Sequence, residues 1–455
     1  MSVLEGAAAV EHALARATAA GARQADALLA ESDSLEARVR DEGIDFVKQA
    51  RERTLGIRAF VEGPGGLRQA STSTSDLSAA AIERMAEETV ALARATAPDP
   101  MAGLPEGPFA SGSPDLRLLD PADREVGVEA RIEDARGAET AARALDPRIV
   151  NSEGSQVGSV FSRVSYGNSE GFLDQFESAS HSLFSEPIAR ANGTMQRDYW
   201  LTVGRSLASL EAPASVGRRA AERALARLGA SRVRTCEVPV IFDPLTARSL
   251  LGHLVSCVSG YAVYREATYL AGQLGEEVAA PTLTVVDDGR LPAALGSCPF
   301  DGDGLPTRRT VVVERGVLQS YLLDTYSARK LGLASTGNAS RSPGGSAGAA
   351  PTNLWIEPGD RSLEEIVADT ERGLLVTELI GMGFNPVTGD YSRGAAGLWI
   401  EQGRIVHPVE EITVAGHLAE MLSSIDAVGN DLLRLGRVAS PTLRVARMTV
   451  AGESP

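Results

Sequence analysis

The chain has 455 residues, of which 43% are hydrophobic and 23% charged, a balance typical of a folded globular protein. This length exceeds what one hydrophobic core usually holds, so two or three domains are expected. The formal net charge of -16 disfavours binding to nucleic acid or to anionic lipid. Three cysteines without a CxxC spacing fit a reducing cytoplasm, and no apolar run approaches the roughly 20 residues that span a bilayer.

The first segment, residues 1–100, is predicted to be a small α+β module. Alanine and leucine recur at helical spacing through 4–30, which predicts an amphipathic helix rather than a signal peptide. Alternating residues predict strands over 34–63, and a Pro-Gly-Gly turn leads to a further strand. Asp76 is the expected N-cap of the helix that follows.

Five prolines between residues 98 and 114 predict a linker, placed at 101–114, because proline lacks the amide donor that helices and sheets need. A second α+β module is predicted over 115–230, with a closing helix near 213–229. The tetrapeptide NSEG occurs at 151–154 and again at 168–171. Each copy is predicted to reverse a strand, since Asn and Gly tolerate the backbone angles of tight turns.

The third segment, residues 231–455, is predicted to be a larger domain. A short apolar strand stops at Asp243-Pro244, a helix follows over 245–264, and Arg315-Gly316 predicts a hairpin. Residues 335–350 are small and Gly-rich, which favours a mobile loop, and Ser362 begins a capping box. The fold class expected for the whole chain is α+β, with mostly antiparallel sheets and flanking helices.

The strongest metal candidate is the pair His253 and Cys257, which lie four residues apart on one helical face. Both side-chain types bind zinc, but a zinc site needs at least three protein ligands. Leu250, Leu254 and Cys257 also form an apolar stripe, so packing is favoured over metal binding for Cys257. For His253, a hydrogen bond to a backbone carbonyl is the expected alternative.

Other catalytic signatures are weak. The chain has no GxSxG elbow and no GxxxxGK[ST] phosphate loop, although a Ser-His-Asp arrangement stays open in a serine-rich sequence. The acidic DGDG at 301–304 is interpreted as a turn, because Val312 stands where a calcium loop needs a glutamate.

Three stretches of the third segment resemble the PmbA/TldE branch of the TldD/PmbA family. They are VPVIFDPLTARSLLGHLVSCVSG, PFDGDGLPTRRTVVVERGVLQSYLLDTYSARKLGLASTGNA and VTGDYSRGAAGLWIEQGRIVHPVEEITVAGHL. The resemblance implies a three-part α+β architecture and a zinc metalloprotease built from two similar subunits. The catalytic branch carries HExxxH on the helix that contains SLLGHLVSC. Here that motif is replaced by Leu251-Gly252-His253-Leu254-Val255-Ser256.

The resemblance and this replacement together imply the non-catalytic subunit of a heteromeric zinc metalloprotease that processes or degrades small or unfolded peptides, in which this chain completes the chamber around the partner's active site. No catalytic residue and no cofactor is expected in this chain. Zinc is expected in a TldD-like partner bearing HExxxH, and an extended peptide is the expected substrate. A homodimer is a further expectation. The candidates for the wall of the peptide chamber or the interface are the 335–350 loop and Thr388, Gly389, Asp390, Tyr391, Ser392, Arg393 and Gly394.

Two alternative functions stay open. One is an autonomous metal-dependent hydrolase that uses His253 and Cys257 with a further donor. The other is a protein-binding regulator of the gyrase-modulator type, which the resemblance also implies. The acidic charge disfavours direct DNA contact but permits binding to another protein.

Overall fold

A computed structural model describes residues 4–112, 114–345 and 347–452. Over these residues the fold is α+β with mostly antiparallel sheets, which confirms the predicted class. None of the helices in the described ranges has the length and apolar character that crossing a bilayer requires.

The first two segments share a single seven-stranded sheet, which the sequence did not predict. Its strand order is β3-β2-β1-β4-β5-β6, with β7 beside β5. Four helices accompany this sheet. The elements are α1 (Gly6–Ala19), β1 (Gln24–Arg40), β2 (Gly43–Gly63), β3 (Gly66–Thr74), α2 (Ala79–Ala95), α3 (Val128–Leu145), β4 (Ile149–Asn168), β5 (Leu173–Ala191), β6 (Thr194–Arg197), β7 (Trp200–Gly204) and α4 (Pro213–Ala226).

The third segment contains a six-stranded sheet, β17-β16-β15-β8-β20-β18, in which β17 also pairs with β20. A five-stranded sheet, β11-β10-β9-β14-β19, and the short ribbon β12-β13 complete it. The elements are β8 (Cys236–Phe242), α5 (Pro244–Val258), α6 (Gly260–Tyr264), β9 (Val285–Asp288), β10 (Arg309–Glu314), β11 (Val317–Leu318), α7 (Thr325–Leu331), β12 (Ala339–Ser340), β13 (Gly348–Ala349), β14 (Leu354–Ile356), α8 (Leu363–Ala368), β15 (Arg372–Ile380), β16 (Asp390–Glu401), β17 (Arg404–His417), α9 (Leu418–Ser423), β18 (Ile425–Val428), β19 (Val438–Ala439) and β20 (Leu443–Ala451).

The predicted N-terminal helix over 4–30 is wrong beyond residue 19. Helix α1 ends at Ala19, and Gly21 then adopts a φ of +101°, a conformation that suits glycine. Residues from Gln24 onward instead pair with both β2 and β4. Sheet pairing with a distant strand therefore overrides the local helical pattern of the alanines and leucines.

Two turn and cap predictions need correction. The first NSEG lies inside β4, where Gly154 (φ +104°) takes part in a bulge opposite β5, and only the second copy reverses the chain. The N-cap of α2 is Ser78 rather than Asp76. The Asp76 carboxylate accepts a hydrogen bond from the Ser78 amide at 2.9 Å, so it stabilises the turn just before the helix.

Several local predictions in the third segment are confirmed. Strands β10 and β11 form the hairpin around Arg315-Gly316, and Ser362 and Glu365 form a capping box at the start of α8. The helix expected over 245–264 is interrupted at Ser259, which separates α5 from α6. The core of this domain surrounds α5, and it includes Leu250, Leu254 and Cys257 as the apolar stripe predicts.

Candidate functional site on helix α5

Helix α5 starts at a well-defined cap. The Asp243 carboxylate accepts a hydrogen bond from the Thr246 amide at 2.8 Å, and Pro244 occupies the first helical position. Asp243 also forms an ion pair with Arg223 at 3.2 Å, which ties the start of the helix to α4. These contacts fix the start of α5, and residues 251–257 lie two or more turns further along the same helix.

The three positions where the resemblance places the zinc-binding motif do not fit a metal. Leu251 is buried in the core, and Gly252 has no side chain, with open space where a Cβ would stand. The Ser256 hydroxyl donates a hydrogen bond to the His253 carbonyl at 2.7 Å, back onto its own helix. Neither imidazoles to hold zinc nor a carboxylate to activate water is available at these positions.

His253 lies in an aromatic contact rather than in a set of metal ligands. Its ring centroid is 4.4 Å from that of Phe384 and 5.8 Å from that of Tyr391. The Nε2 atom is buried without a hydrogen-bond partner, so the expected bond to a backbone carbonyl is not made by this atom. Burial, followed by the positive charge of Arg393, lowers the pKa of His253 to about 4, which keeps the ring neutral near pH 7.

Cys257 is fully buried in the core of the domain, and burial raises the pKa of its thiol. A thiol in such surroundings remains protonated and packs as a small hydrophobic group. Within the described ranges no cluster of three or more His, Cys, Asp or Glu side chains is arranged to hold a metal ion. The geometry therefore gives His253 and Cys257 no third donor.

The predicted chamber segment, residues 388–394, divides into an inner and an outer set. Tyr391 is buried against His253, and the Arg393 guanidinium donates hydrogen bonds to Ser249 on α5 and to a β15 carbonyl, both at 3.3 Å. Asp390 and Ser392 are exposed on the alternate positions of β16. The structure therefore brings Tyr391 and Arg393 onto α5 and leaves their neighbours facing solvent.

The turn that precedes β16 is held by a histidine that the sequence did not single out for this role. The His417 ring donates a hydrogen bond from Nε2 to the Thr388 carbonyl at 2.6 Å. Gly389 has a φ of +82°, and a Cβ there would lie 2.6 Å from the His417 ring. Thr388, Gly389 and His417 therefore form one fitted turn at the edge of the site.

An exposed apolar surface adjoins this turn. The loop between β15 and β16 and its flanks present Ile380, Met382 and Val387, which are 57%, 89% and 53% exposed. We call these three residues the loop patch. Methionine at such exposure is unusual on a free surface and is common where proteins bind each other.

A cavity of about 420 Å³ lies beside Arg393. Its lining includes Ser249 and Arg248 of α5 and Glu378 of β15, which forms an ion pair with Arg227 at 2.6 Å. The Nε atom of Arg393 is buried without a hydrogen-bond partner. This cavity therefore combines open space with an unused hydrogen-bond donor close to α5.

Two residues of the Gly-rich segment 335–350, Asn338 and Arg341, are fastened to distant parts of the chain. Arg341 forms an ion pair with Asp26 of β1 at 2.5 Å, and Asn338 donates a hydrogen bond to Asp287 at 2.7 Å. Ser346 lies outside the described residues. The sequence expectation of a mobile loop missed these anchors because their partners are far away along the chain.

A Ser-His-Asp contact does occur, in the second module. His181 Nδ1 lies 2.9 Å from Ser159 Oγ, and Nε2 lies 3.2 Å from Asp123. The use of the two ring nitrogens is the reverse of that in serine hydrolases, where serine faces Nε2. Asp123 also accepts a hydrogen bond from the Leu207 amide at 3.0 Å, so this contact joins β4, β5 and the loop after β7.

Comparison with known sequences identifies relatives over the full architecture. Profiles of the PmbA/TldA metallopeptidase family match domain 1 at residues 25–93, the central domain at 121–228 and the C-terminal domain at 235–452. Metalloprotease PmbA of Escherichia coli O157:H7 is 40% identical over 411 residues, 90% of this chain and 88% of that one. A PmbA homologue from Haemophilus influenzae is 35% identical, covering 98% and 95% of the two chains.

Solved structures share the same architecture. A candidate modulator of DNA gyrase from Bacteroides thetaiotaomicron superposes with a TM-score of 0.90 at 29% identity, covering 98% of each chain. TldE from Thermococcus kodakarensis superposes with a TM-score of 0.87 at 24% identity, covering 98% of this chain and all of that one (100%). The second likeness bears on the fold alone.

Proposed function

This chain belongs to the PmbA/TldA metallopeptidase family, and we propose that it is the non-catalytic subunit of a two-subunit zinc peptidase. The observation that carries the proposal is that helix α5 is present but has no side chains that could bind zinc or act as a general base at the motif positions. The helix is retained in the core, whereas Leu251, Gly252 and Ser256 stand where the metal ligands and the general base would be.

The chemistry of peptide hydrolysis then assigns zinc to a partner. A catalytic zinc needs about three protein ligands and a carboxylate that takes a proton from the bound water. The proposed partner is a TldD-like chain with HExxxH intact. This chain contributes the remaining wall of a closed peptide chamber, and zinc is no part of its own structure.

We assign the partner contact to the loop patch and the peptide contact to the neighbouring cavity. The loop patch offers apolar surface that association would bury. The free Nε donor of Arg393 is suited to a carbonyl of an extended peptide, which is bound through its backbone with little dependence on sequence. The three free cysteines suit a reducing cytoplasm, where we propose that the complex works.

Co-expression with an HExxxH-bearing chain tests the proposal. The expected result is one complex on size-exclusion chromatography that contains zinc and cleaves an unstructured fluorogenic peptide until a chelator is added. Replacing the glutamate of the partner's motif with glutamine should abolish cleavage. Cys257→Ala in this chain should leave both zinc content and cleavage unchanged.

The same preparation separates the competing functions. Stoichiometric zinc in the isolated chain, lost in Cys257→Ala, would support an autonomous hydrolase and contradict the proposal. Affinity capture of DNA gyrase in place of an HExxxH-bearing chain would support a regulator of gyrase.

A further inference from the structure

A second cavity, of about 460 Å³, lies where the N-terminal sheet meets the C-terminal domain. It is separate in its lining residues from the cavity beside Arg393. Helix α6, which directly follows α5, forms one wall, and the start of α7 forms another. The side chains that matter below are Arg58, Tyr261, Tyr264, Asp303, Asp324, Thr325 and Tyr326, all of which line the cavity.

Three tyrosines form an aromatic wall of this cavity. The ring centroids of Tyr261 and Tyr264 are 5.4 Å apart, and each lies 5.9 Å from that of Tyr326. The guanidinium of the exposed Arg265 already lies 5.7 Å from the Tyr261 ring and 5.5 Å from the Tyr264 ring. The Lys330 ammonium lies 5.2 Å from the Tyr326 ring. The aromatic wall therefore attracts positive charge, and an incoming cation would share it with Arg265 and Lys330.

Two polar side chains of the cavity are buried with an unused atom. Asp324 is fully buried, and its Oδ1 accepts hydrogen bonds from the Ser327 amide and hydroxyl as the cap of α7. Its Oδ2 atom has no partner within hydrogen-bond distance, although the hydroxyl of Tyr261 lies near enough to interact with the carboxylate. The hydroxyl of the adjacent Thr325, which is 8% exposed, is also buried without a partner. The cap accounts for one oxygen of the carboxylate and leaves the other without a full hydrogen bond.

The carboxylates that line the cavity are Asp303 and Asp324, and only Asp303 forms an ion pair among the described residues, although the exposed Arg265 also lines the cavity. Asp26 and Asp303 are paired with Arg58 and Arg341, through contacts of 2.5 to 3.1 Å. These two carboxylates and two guanidiniums balance. Among the described residues, no side-chain nitrogen of a Lys, Arg or His lies within 4.0 Å of the Asp324 carboxylate oxygens. A buried carboxylate without a counter-ion is costly, so a cation that enters the cavity would be stabilised there.

We propose that this cavity binds a primary ammonium group, and specifically the free N-terminal amine of a peptide. An ammonium has three donors, which match Asp324 Oδ2, the Thr325 hydroxyl and a further acceptor or water. The tyrosine rings stabilise its charge, and the peptide continues out of the cavity mouth. The role of this site in holding peptides for cleavage rests on the proposed function, whereas ammonium binding by this chain does not.

The test uses titration calorimetry to measure how peptides with an uncharged, amidated C-terminus bind to the full-length chain. The probes are tetraglycine amide, its N-acetylated form, and N-acetyl-tetraglycyl-lysine amide. Asp324→Asn removes the charge but keeps an acceptor for the α7 cap. Asp120→Asn is the matched control, because Asp120 also caps a short helical turn and its substitution changes the net charge equally.

We expect the wild type to bind tetraglycine amide at least tenfold more tightly than it binds the acetylated form. We also expect tetraglycine amide to bind the wild type at least tenfold more tightly than it binds Asp324→Asn. Asp120→Asn should bind like the wild type. Tyr264→Leu, which removes a ring but no charge, should weaken binding about threefold. Stronger binding of the lysine peptide than of tetraglycine amide would retain the ammonium site but assign it to a side chain.

The proposal is overturned if the acetylated and free peptides bind equally, if none of them binds at millimolar concentration, or if Asp324→Asn binds like the wild type. Each of these results concerns this chain alone. They are therefore distinguishable from failure of the two-subunit peptidase, which is measured by zinc content and cleavage of the co-expressed complex.

Discussion

At the scale of single residues, the three positions of α5 where the resemblance places the zinc-binding motif have different structural roles. Leu251 has become part of the core, Gly252 leaves open space, and Ser256 bonds to its own helix. Leu251 supports folding, since full burial of a leucine side chain contributes about 1.5–3 kcal/mol. Gly252 supports neither packing nor chemistry, so its substitution is informative.

We predict that Gly252→Ala stabilises the protein by about 0.5–1 kcal/mol. Glycine in a helix interior is less favourable than alanine by that amount, and a Cβ at this position meets nothing within 4 Å. Gly260→Ala in α6 is the contrasting variant, because its Cβ would lie 2.3 Å from the Ser327 hydroxyl and should destabilise the fold. Urea denaturation measures both. Destabilisation by Gly252→Ala would show that the position is packed.

The neutral His253 ring predicts a pH dependence of stability. Its pKa falls from 6.5 to about 4 on folding, so the unfolded chain binds a proton more readily. The stabilisation is fully present above pH 6.5 and is lost as the pH falls towards 4. Allowing for partial exposure, wild type should lose on the order of 1–2 kcal/mol more than His253→Phe across this range.

Urea denaturation at several pH values tests this prediction. His253→Phe keeps an aromatic contact with Phe384, so the difference between the two proteins reports titration of the ring. His407→Phe, in β17 and outside this aromatic contact, controls for the loss of a histidine as such. Parallel pH profiles for wild type and His253→Phe would contradict the assigned burial of the imidazole.

At the scale of elements, substitutions in the loop between β15 and β16 should weaken association with a partner. Met382→Lys places a charge in the centre of the loop patch, where Met382 is 89% exposed, and should weaken the complex at least tenfold while leaving the isolated chain folded. Met195→Lys is the matched control, since Met195 of β6 is also exposed, at 64%. Size-exclusion chromatography of co-expressed chains measures both, and equal losses would remove the loop patch from the interface.

The elements predicted correctly are those specified by residues close together in the chain. Asp243-Pro244 starts α5, and Ser362 with Glu365 starts α8 through side-chain bonds to nearby amides. Sequence reasoning also placed Tyr391 and Arg393 in the candidate site. It could not supply Phe384 over His253, because only the folding of β15 onto β16 brings that ring to α5.

The same limit explains the errors. Residues 24–30 have a helical pattern, yet pairing with β2 and β4 makes them a strand. The Gly-rich segment has the composition of a loop, yet it contains the paired strands β12 and β13, and a contact between Arg341 and Asp26, 315 residues apart, fastens it. Contacts of this range leave no local signal in the sequence, so these anchors were found only from the fold.

At the scale of the whole molecule, Asp26 links the N-terminal sheet to the C-terminal domain. Its carboxylate accepts hydrogen bonds from Arg58 of β2 and from Arg341, while Arg58 also contacts Asp303 at 3.1 Å. All four side chains are largely buried. The network is therefore one of the buried links between the two halves of the chain.

We predict that Asp26→Asn destabilises the protein by about 3–5 kcal/mol, because it leaves the Arg341 guanidinium buried without its counter-ion. Asp33→Asn is the matched control on the same strand. Its ion pair with Arg51 at 2.6 Å is solvent-exposed, so its loss should cost at most about 1 kcal/mol. Urea denaturation followed by tryptophan fluorescence compares the two variants. Because Arg341 belongs to the C-terminal domain, we expect the N-terminal and C-terminal parts of Asp26→Asn to unfold in separate transitions. Similar small losses of stability in both variants would mean that apolar packing holds the two halves together instead.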